Sequence, residues 1–251
     1  MTDTPNGVFE WIWFIATEFT DLFITGTIVT LIIAVAGTIL GFILGFIIGI
    51  AEDAHITKND PLPKKIILKF IKAICKVYVE IFRDTPMIVQ AMIIYFGIRQ
   101  AGVEIDPISA GILVTVLNTG AYMAETVRAG INSIDIGQRE GALAMGMSPV
   151  SAMIHIVLPQ AFKNIVPEMG NTFLTNLKMT SVLNVIGVKE LFLQAKTLGG
   201  TYYRYLESYL VIAVIYFVLC FVLNRLFHLI EKKMAGKKDY ALAVEYMDNN
   251  E

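Results

Sequence analysis

The sequence predicts an all-α fold, a polytopic bundle of about five membrane-spanning helices with a helical loop on the cytoplasmic side. Composition comes first: 55% of the 251 residues are hydrophobic and 17% charged, against ~45–50% and ~25% in an ordinary soluble domain. Several apolar runs also reach the ~20 residues that a helix needs to cross hydrocarbon. Finally, a formal net charge of -2 offers no basic surface to phosphate backbones, so no nucleic-acid partner is expected. The length suits one transmembrane domain over residues 1–251 and leaves no room for a large enzyme beside it.

The first span is expected over residues 22–50, which carry no charge. At ~1.5 Å per residue this run reaches roughly 43 Å, enough to cross a ~30 Å core with tilt. Trp11, Trp13 and Phe14 just ahead of it suit an interfacial belt. No Lys or Arg precedes Lys58, whereas Asp3, Glu10, Glu18 and Asp21 do. The positive segment of a secretory signal is thus missing, and the run is expected to stay in the mature protein. Gly37, Gly41, Gly45 and Gly49 recur every four residues and form a smooth stripe for close packing of another helix.

A second span is expected over residues 66–98. Lys69, Lys72 and Lys76 lead into it, and Glu80, Arg83, Asp84 and Pro86 interrupt it. The proline is expected to bend this helix rather than end it, because bundle neighbours can satisfy the freed carbonyl. The third, fourth and fifth spans are expected over residues 108–126, 161–183 and 206–230. Lys58, Lys64 and Lys65 follow the first span, and Lys232, Lys233, Lys237 and Lys238 follow the last. Positive residues stay inside, so the N-terminus is expected outside and the C-terminus in the cytoplasm. Lys189, Lys196 and Arg204, between spans four and five, run against that orientation. The charged tail over 235–251 has no assigned role.

Cys75 and Cys220 form no CxxC and read as packing residues. His55, His155 and His228 are isolated, so neither a metal site nor any other cofactor is expected, and a membrane enzyme is disfavoured.

Charges at bilayer depth cost several kcal/mol unless they face protein or water, so their angular placement is informative. Glu80, Arg83, Met87 and Gln90 share one face of span two, Thr115, Asn118, Tyr122 and Glu125 one face of span three. Asn164, Glu168, Asn171, Thr175 and Lys178 continue the rule through span four. Such groups can glue helices together, with Arg83 paired to Glu80 and Glu168 held by Asn164 or Asn171. Three lines running through the depth favour a passage for a small charged solute, lined by Arg83, Gln90, Asn118, Tyr122, Glu168, Asn171 and Lys178.

A cytoplasmic loop is expected over about 130–159. In it Gln138-Arg139-Glu140-Gly141-Ala142-Leu143-Ala144-Met145-Gly146 is followed, after nine residues, by Ile156-Val157-Leu158-Pro159. The pattern reads as a short helix ending at Gly146, then a second opened near Ser148-Pro149 and stopped by Pro159. An exposed apolar helix there needs a partner.

This loop resembles that of permease subunits of ATP-binding-cassette importers, whose loop reads Glu-Ala-Ala, three residues, Gly, nine residues, Ile-x-Leu-Pro. Gly141 stands for the first alanine. The likeness covers nearly the whole chain and narrows to the polar amino-acid uptake family. Tyr78-Val79-Glu80-Ile81-Phe82-Arg83-Asp84-Thr85-Pro86 is similar to that family's Tyr-Val-Glu-x-x-Arg-Gly-Thr-Pro. Leu117 to Glu125 with Arg128-Ala129-Gly130-Ile131 is similar to its third-span motif. Leu177-Lys178-Met179-Thr180-Ser181-Val182 resembles Leu-Lys-Asp-Thr-Ser-Leu, with Met179 removing an acid.

The resemblance implies a permease in the bacterial-type cytoplasmic (inner) membrane that moves amino acids. Cytosolic ATPase subunits would grip the coupling helix at Glu140, Gly141, Ala142 and Gly146, with Pro159 closing the motif. An extracellular or periplasmic solute-binding protein would deliver the cargo, and a second permease subunit, identical or a relative, would complete the pore. No GxxxxGK[ST] loop occurs, so the chain is not expected to hydrolyse ATP itself. Arg83 or Lys178 would take the solute carboxylate and Glu168 or Asn171 its amino group. An ion-coupled secondary transporter would use the same stripes, but the paired broken helices of its internal repeats are not found. A scaffold subunit would have no need of them.

Overall fold

The computed structural model describes residues 5–54, 56 and 60–234. Asp3, His55, Lys58, Lys237, Lys238 and the tail over 235–251 lie outside the described residues. Among those described, all regular structure is helical and no strand occurs.

A short helix α1 (Val8–Glu18) turns into the long α2 (Thr20–Asp53), which contains the charge-free run. The stripe of small residues on α2 lies against α5 (Pro107–Asn132), and Gly37, Gly41, Gly45 and Gly49 are all buried there. A Cβ on Gly45 would stand 2.5 Å from Met123 Cβ and 2.7 Å from the Gly120 carbonyl oxygen. Only glycine lets the two backbones approach this closely. Asp106 caps α5, its Oδ1 accepting from the Ile108 and Ser109 N–H groups at 3.0 Å. Hydrogen bonds from Ser109 hold its carboxyl below the ordinary carboxylate range.

Between them run α3 (Leu62–Asp84) and α4 (Met87–Gln100). Contrary to the expectation of one bent helix, the chain breaks here, with Thr85 at φ -112°, ψ 143° and Pro86 at φ -63°, ψ 135°. The proline ring drives the residue before it out of the helical region. Without an N–H on Pro86, the Phe82 carbonyl loses its i+4 donor. Gln90 Nε2 at 2.9 Å and Asn118 Nδ2 at 3.2 Å replace it. Neighbours do satisfy the freed oxygen, and the helix ends all the same.

The loop between α5 and the fourth long helix starts with α6 (Ile136–Ala144), capped by Asp135 and closed by Gly146 at φ +88°. There the Met147 N–H donates to the Ala142 carbonyl at 3.1 Å, a closure that requires a left-handed residue. Ser148 caps α7 (Pro149–Ala152), and a single π turn over Met153–Val157 leads into α8 (Leu158–Met179). The expectation that Pro159 stops a helix is corrected: it lies in the first turn of α8, where a missing N–H costs little. The π turn, with the Leu158 N–H bonded to the Met153 carbonyl five residues back, gives the proline ring room.

A 3-10 turn, Thr180–Ile186, follows α8 and stops at Gly187, φ +84°. Two helices complete the fold, α9 (Leu191–Tyr202) and α10 (Tyr205–Met234). Neither α1 nor α9 is marked as a helix by the sequence pattern. Buried Glu190 anchors α9, accepting from the Phe192 and Leu193 N–H groups at 2.8 and 2.7 Å and from the Tyr216 hydroxyl at 3.3 Å. Two cations that ran against the expected orientation are engaged. Lys196 donates to Asn184 at 3.3 Å, while Arg204 meets Glu207 at 3.3 Å and lies 4.9 Å from the Trp11 ring.

By length and composition α2, α5 and α10 (Tyr205–Lys233) are long and apolar enough to cross a membrane, and α4 is a shorter apolar helix. The expected second span, 66–98, is divided between α3 and α4. The fourth, 161–183, covers most of α8 and the first half of the 3-10 turn. Ile33, Met87, Tyr95, Val114 and Leu183 pack where α4 and the 3-10 turn meet α2 and α5. Lower in the bundle a polar knot joins three helices: Asn176 Nδ2 donates to Thr38 Oγ1 at 2.8 Å and to Thr119 Oγ1 at 2.9 Å, all three residues buried. Buried groups satisfied in this way fix register between helices.

Candidate functional site

A cavity of about 560 Å³ opens between the end of α3, the second half of α5 and the middle of α8. Arg83, Asn118, Tyr122 and Glu125 line one wall, and Glu168, Asn171, Thr175 and Asn176 the other. Its position follows from the break at Thr85–Pro86, which ends α3 just after Arg83 and leaves that side chain at the cavity edge rather than along a continuous helix.

Arg83 Nη1 lies 2.5 Å from Glu125 Oε1, and its guanidinium carbon lies 5.6 Å from the Tyr122 ring centroid. The alternative pairing with Glu80 is corrected: Glu80 turns outward to Lys76 at 3.7 Å. Across the cavity Glu168 Oε2 accepts from Asn171 Nδ2 at 3.4 Å and meets no cation among the described residues, while Asn164 reaches Ser133 instead at 2.9 Å. The lining thus holds one guanidinium and two carboxylates. With Arg83 matched to Glu125, the charge of Glu168 is left over.

Five of the seven solute-site candidates meet here: Arg83, Asn118, Tyr122, Glu168 and Asn171. Gln90 does not. It is buried behind the wall, donating to the Phe82 and Thr85 carbonyls and accepting from Asn118, so it repairs the proline break. Lys178 does not either: it lines a second pocket of about 480 Å³ with Asn224, Cys220 and Phe217, beside α10. The 4-3-4-3 spacing hides a drift, since at 3.6 residues per turn Lys178 lies about 80° around the helix from Glu168. Thr119, Thr126, Thr172, Asn176 and Met179 also line the cavity and were not singled out as site residues. Glu125 was legible on the polar line of the third span, and Thr119 and Asn176 lie one residue from members of such lines.

In the loop, Glu140 and Gly141 are exposed on α6, Ala142 is buried beneath it and Gly146 closes it. No atom comes within 4 Å of a Cβ placed on Gly141. Ile136 and Met145 at the ends of α6 and Val150 on α7 are strongly exposed, 71%, 79% and 68%. Apolar groups so exposed in a loop are what a protein partner covers. No cluster of His, Cys, Asp and Glu able to hold a metal occurs among the described residues.

Comparison with known proteins gives four findings. Residues 67–236 match the family model described as binding-protein-dependent transport system inner membrane component. The chain is 37% identical over 182 residues, 67% of its length and 83% of the relative's, to the arginine transport system permease protein ArtQ of Bacillus subtilis (strain 168). It is 36% identical over 160 residues, 63% and 73% of the two chains, to the glutamine transport system permease protein GlnP of Escherichia coli (strain K12). Among solved structures it superposes with a TM-score of 0.78 and 35% identity, over 92% of this chain and 100% of the other, on a chain of the crystal structure of an amino acid ABC transporter with histidines.

Proposed function

The chain belongs to the family of binding-protein-dependent transport system inner membrane components, and we propose that it is the permease of an importer whose cargo is a cationic amino acid. It works in the inner membrane and moves amino acids; the relatives named above carry arginine or glutamine, so kinship alone does not choose among them. The charge of the cavity does. The observation that carries the reading is Arg83 matched to Glu125 on one wall with Glu168 facing them without a cation.

An amino-acid zwitterion replaces that arrangement term by term. Its carboxylate takes Arg83, its ammonium takes Glu125, and a cationic side chain takes Glu168, helped by Asn171. Tyr122 and Asn118 fix the orientation. Charge-assisted hydrogen bonds of this kind contribute about 1.5–3 kcal/mol each, enough to select a zwitterion over a simple ion.

Energy comes from separate cytosolic ATPase subunits, and an external binding protein delivers the cargo. Glu140, Gly141, Ala142 and Gly146 form the coupling helix these subunits grip. Because α6 lies between α5 and α8, which carry Glu125 and Glu168, a push on α6 moves the two walls of the cavity relative to each other. Two permease subunits build the pore, with the N-terminus outside and the C-terminus in the cytoplasm. The test is uptake into proteoliposomes holding permease, ATPase subunit and binding protein. Arginine, lysine and histidine should accumulate with ATP and resist uncouplers. Accumulation that collapses with uncoupler, or that needs no ATP, would replace this reading with an ion-coupled carrier.

A further inference from the structure

The first half of α3 combines two properties that neither hydrocarbon nor cytosol accommodates. Lys65, Lys69, Lys72 and Lys76 step by 4, 3 and 4 along one face, and no acidic residue occurs from Leu62 to Val79. Beside that line Ile66, Phe70, Ile74 and Val77 are 59%, 67%, 53% and 53% exposed, and no part of the described chain covers them. Lys64 is matched to Asp60 at 2.6 Å, and Lys76 touches Glu80 only at 3.7 Å with both side chains mostly in the open.

Length makes the conflict quantitative. At ~1.5 Å per residue, the 23 residues of α3 alone measure about 34 Å, and the 14 of α4 add about 21 Å after the break, against a hydrocarbon core of ~30 Å. If the helix stood upright, the isoleucines and Phe70 would hang in water. If it sank deeper, four lysines would enter the hydrocarbon.

We propose that the first four turns of α3 lie along the inner surface of the bilayer and bind anionic phospholipid headgroups. Ile66, Phe70, Ile74 and Val77 insert between acyl chains while Lys69, Lys72 and Lys76 meet the phosphates. An amphipathic helix with a basic edge takes up this position, and lysines near an anionic surface are attracted to it by an interaction that salt screens. The inference rests on the topology of the preceding subsection, in which α3 starts on the cytoplasmic side. It adds a ligand class, anionic phospholipid, at a surface remote from the cargo cavity. Through the rigid link from α3 to Arg83, the membrane surface then sets the position of one cavity wall.

The test places a fluorophore at Phe70→Cys in a Cys75→Ala/Cys220→Ala background, in the complex with its ATPase, reconstituted in phosphatidylcholine with or without phosphatidylglycerol. ATP-driven uptake measured in the same vesicles reports separately on the transport reading. Quenching by lipids with a nitroxide near the headgroup should be at least about twofold stronger with phosphatidylglycerol. That gain should vanish in Lys69→Gln/Lys72→Gln/Lys76→Gln and at high salt. Quenching by aqueous acrylamide would overturn the proposal, as would protection from both quenchers, which means that a protein covers this face. Equal nitroxide quenching in the two lipids, unchanged by the lysine substitutions, would overturn the anionic recognition.

Discussion

Arg83 and Glu125 bridge α3 and α5 at the wall of the cavity, Nη1 to Oε1 at 2.5 Å, with the guanidinium over the Tyr122 ring. The two side chains remain 35% and 44% exposed, so the bridge contributes little to stability, about 0–1 kcal/mol. Its importance lies in holding two opposite charges ready for a zwitterion. Arg83→Gln and Glu125→Gln are each expected to lower uptake at least about tenfold, a loss of ~1.4 kcal/mol or more. Melting temperature should barely move. Uptake assays beside thermal unfolding check this, and a large drop in melting temperature with normal cargo affinity would make the pair structural.

Gln90, which shares the Phe82 carbonyl with Asn118, answers to the opposite logic. Both donate to the Phe82 carbonyl that Pro86 leaves without a partner. Gln90→Leu leaves that buried oxygen short of a donor, a loss of about 1–3 kcal/mol. Thermal or denaturant unfolding in detergent should show it, and uptake should fall only as far as the folded fraction does. A Gln90→Leu variant of wild-type stability with weakened cargo binding would return Gln90 to the site.

Gly45 and Gly141 separate close packing from mere helix propensity. Gly45→Ala puts a methyl 2.5 Å from Met123 Cβ and forces α2 and α5 apart, at a cost of about 1–3 kcal/mol. Gly141→Ala meets nothing within 4 Å and restores ~1 kcal/mol of helix propensity to α6. Unfolding measurements on the two variants should move in opposite directions.

Much of this was legible in the sequence for a simple reason: spans, the glycine stripe and the loop pattern are local regularities. The run over 22–50 could only be an apolar helix, and Gly37 to Gly49 marked its packing face before a partner was known. Pro86 announced an interruption, and its ring, by driving Thr85 out of the helical region, stops the helix even though Gln90 and Asn118 satisfy the freed Phe82 carbonyl. The spacing by fours and threes also conceals Lys178, which lies ten residues and about 80° around α8 from Glu168. Helices α1 and α9 escaped because their aromatic and mixed sequences are stabilised by contacts such as Trp11 with Tyr202 rather than by periodicity. Glu190 caps α9 through the local Phe192 and Leu193 N–H groups, and the Tyr216 hydroxyl, 26 residues away, also donates to its carboxylate.

The most direct test compares cargo binding by the wild-type complex and by Glu168→Gln, using arginine and glutamine side by side in detergent-solubilised complex titrated calorimetrically. Neutralising Glu168 removes one charge-assisted contact, so arginine affinity should fall about 10–100-fold while glutamine affinity changes little. If arginine bound as tightly to the variant as to the wild type, the surplus carboxylate would not select the cargo and the account of the cavity would be contradicted.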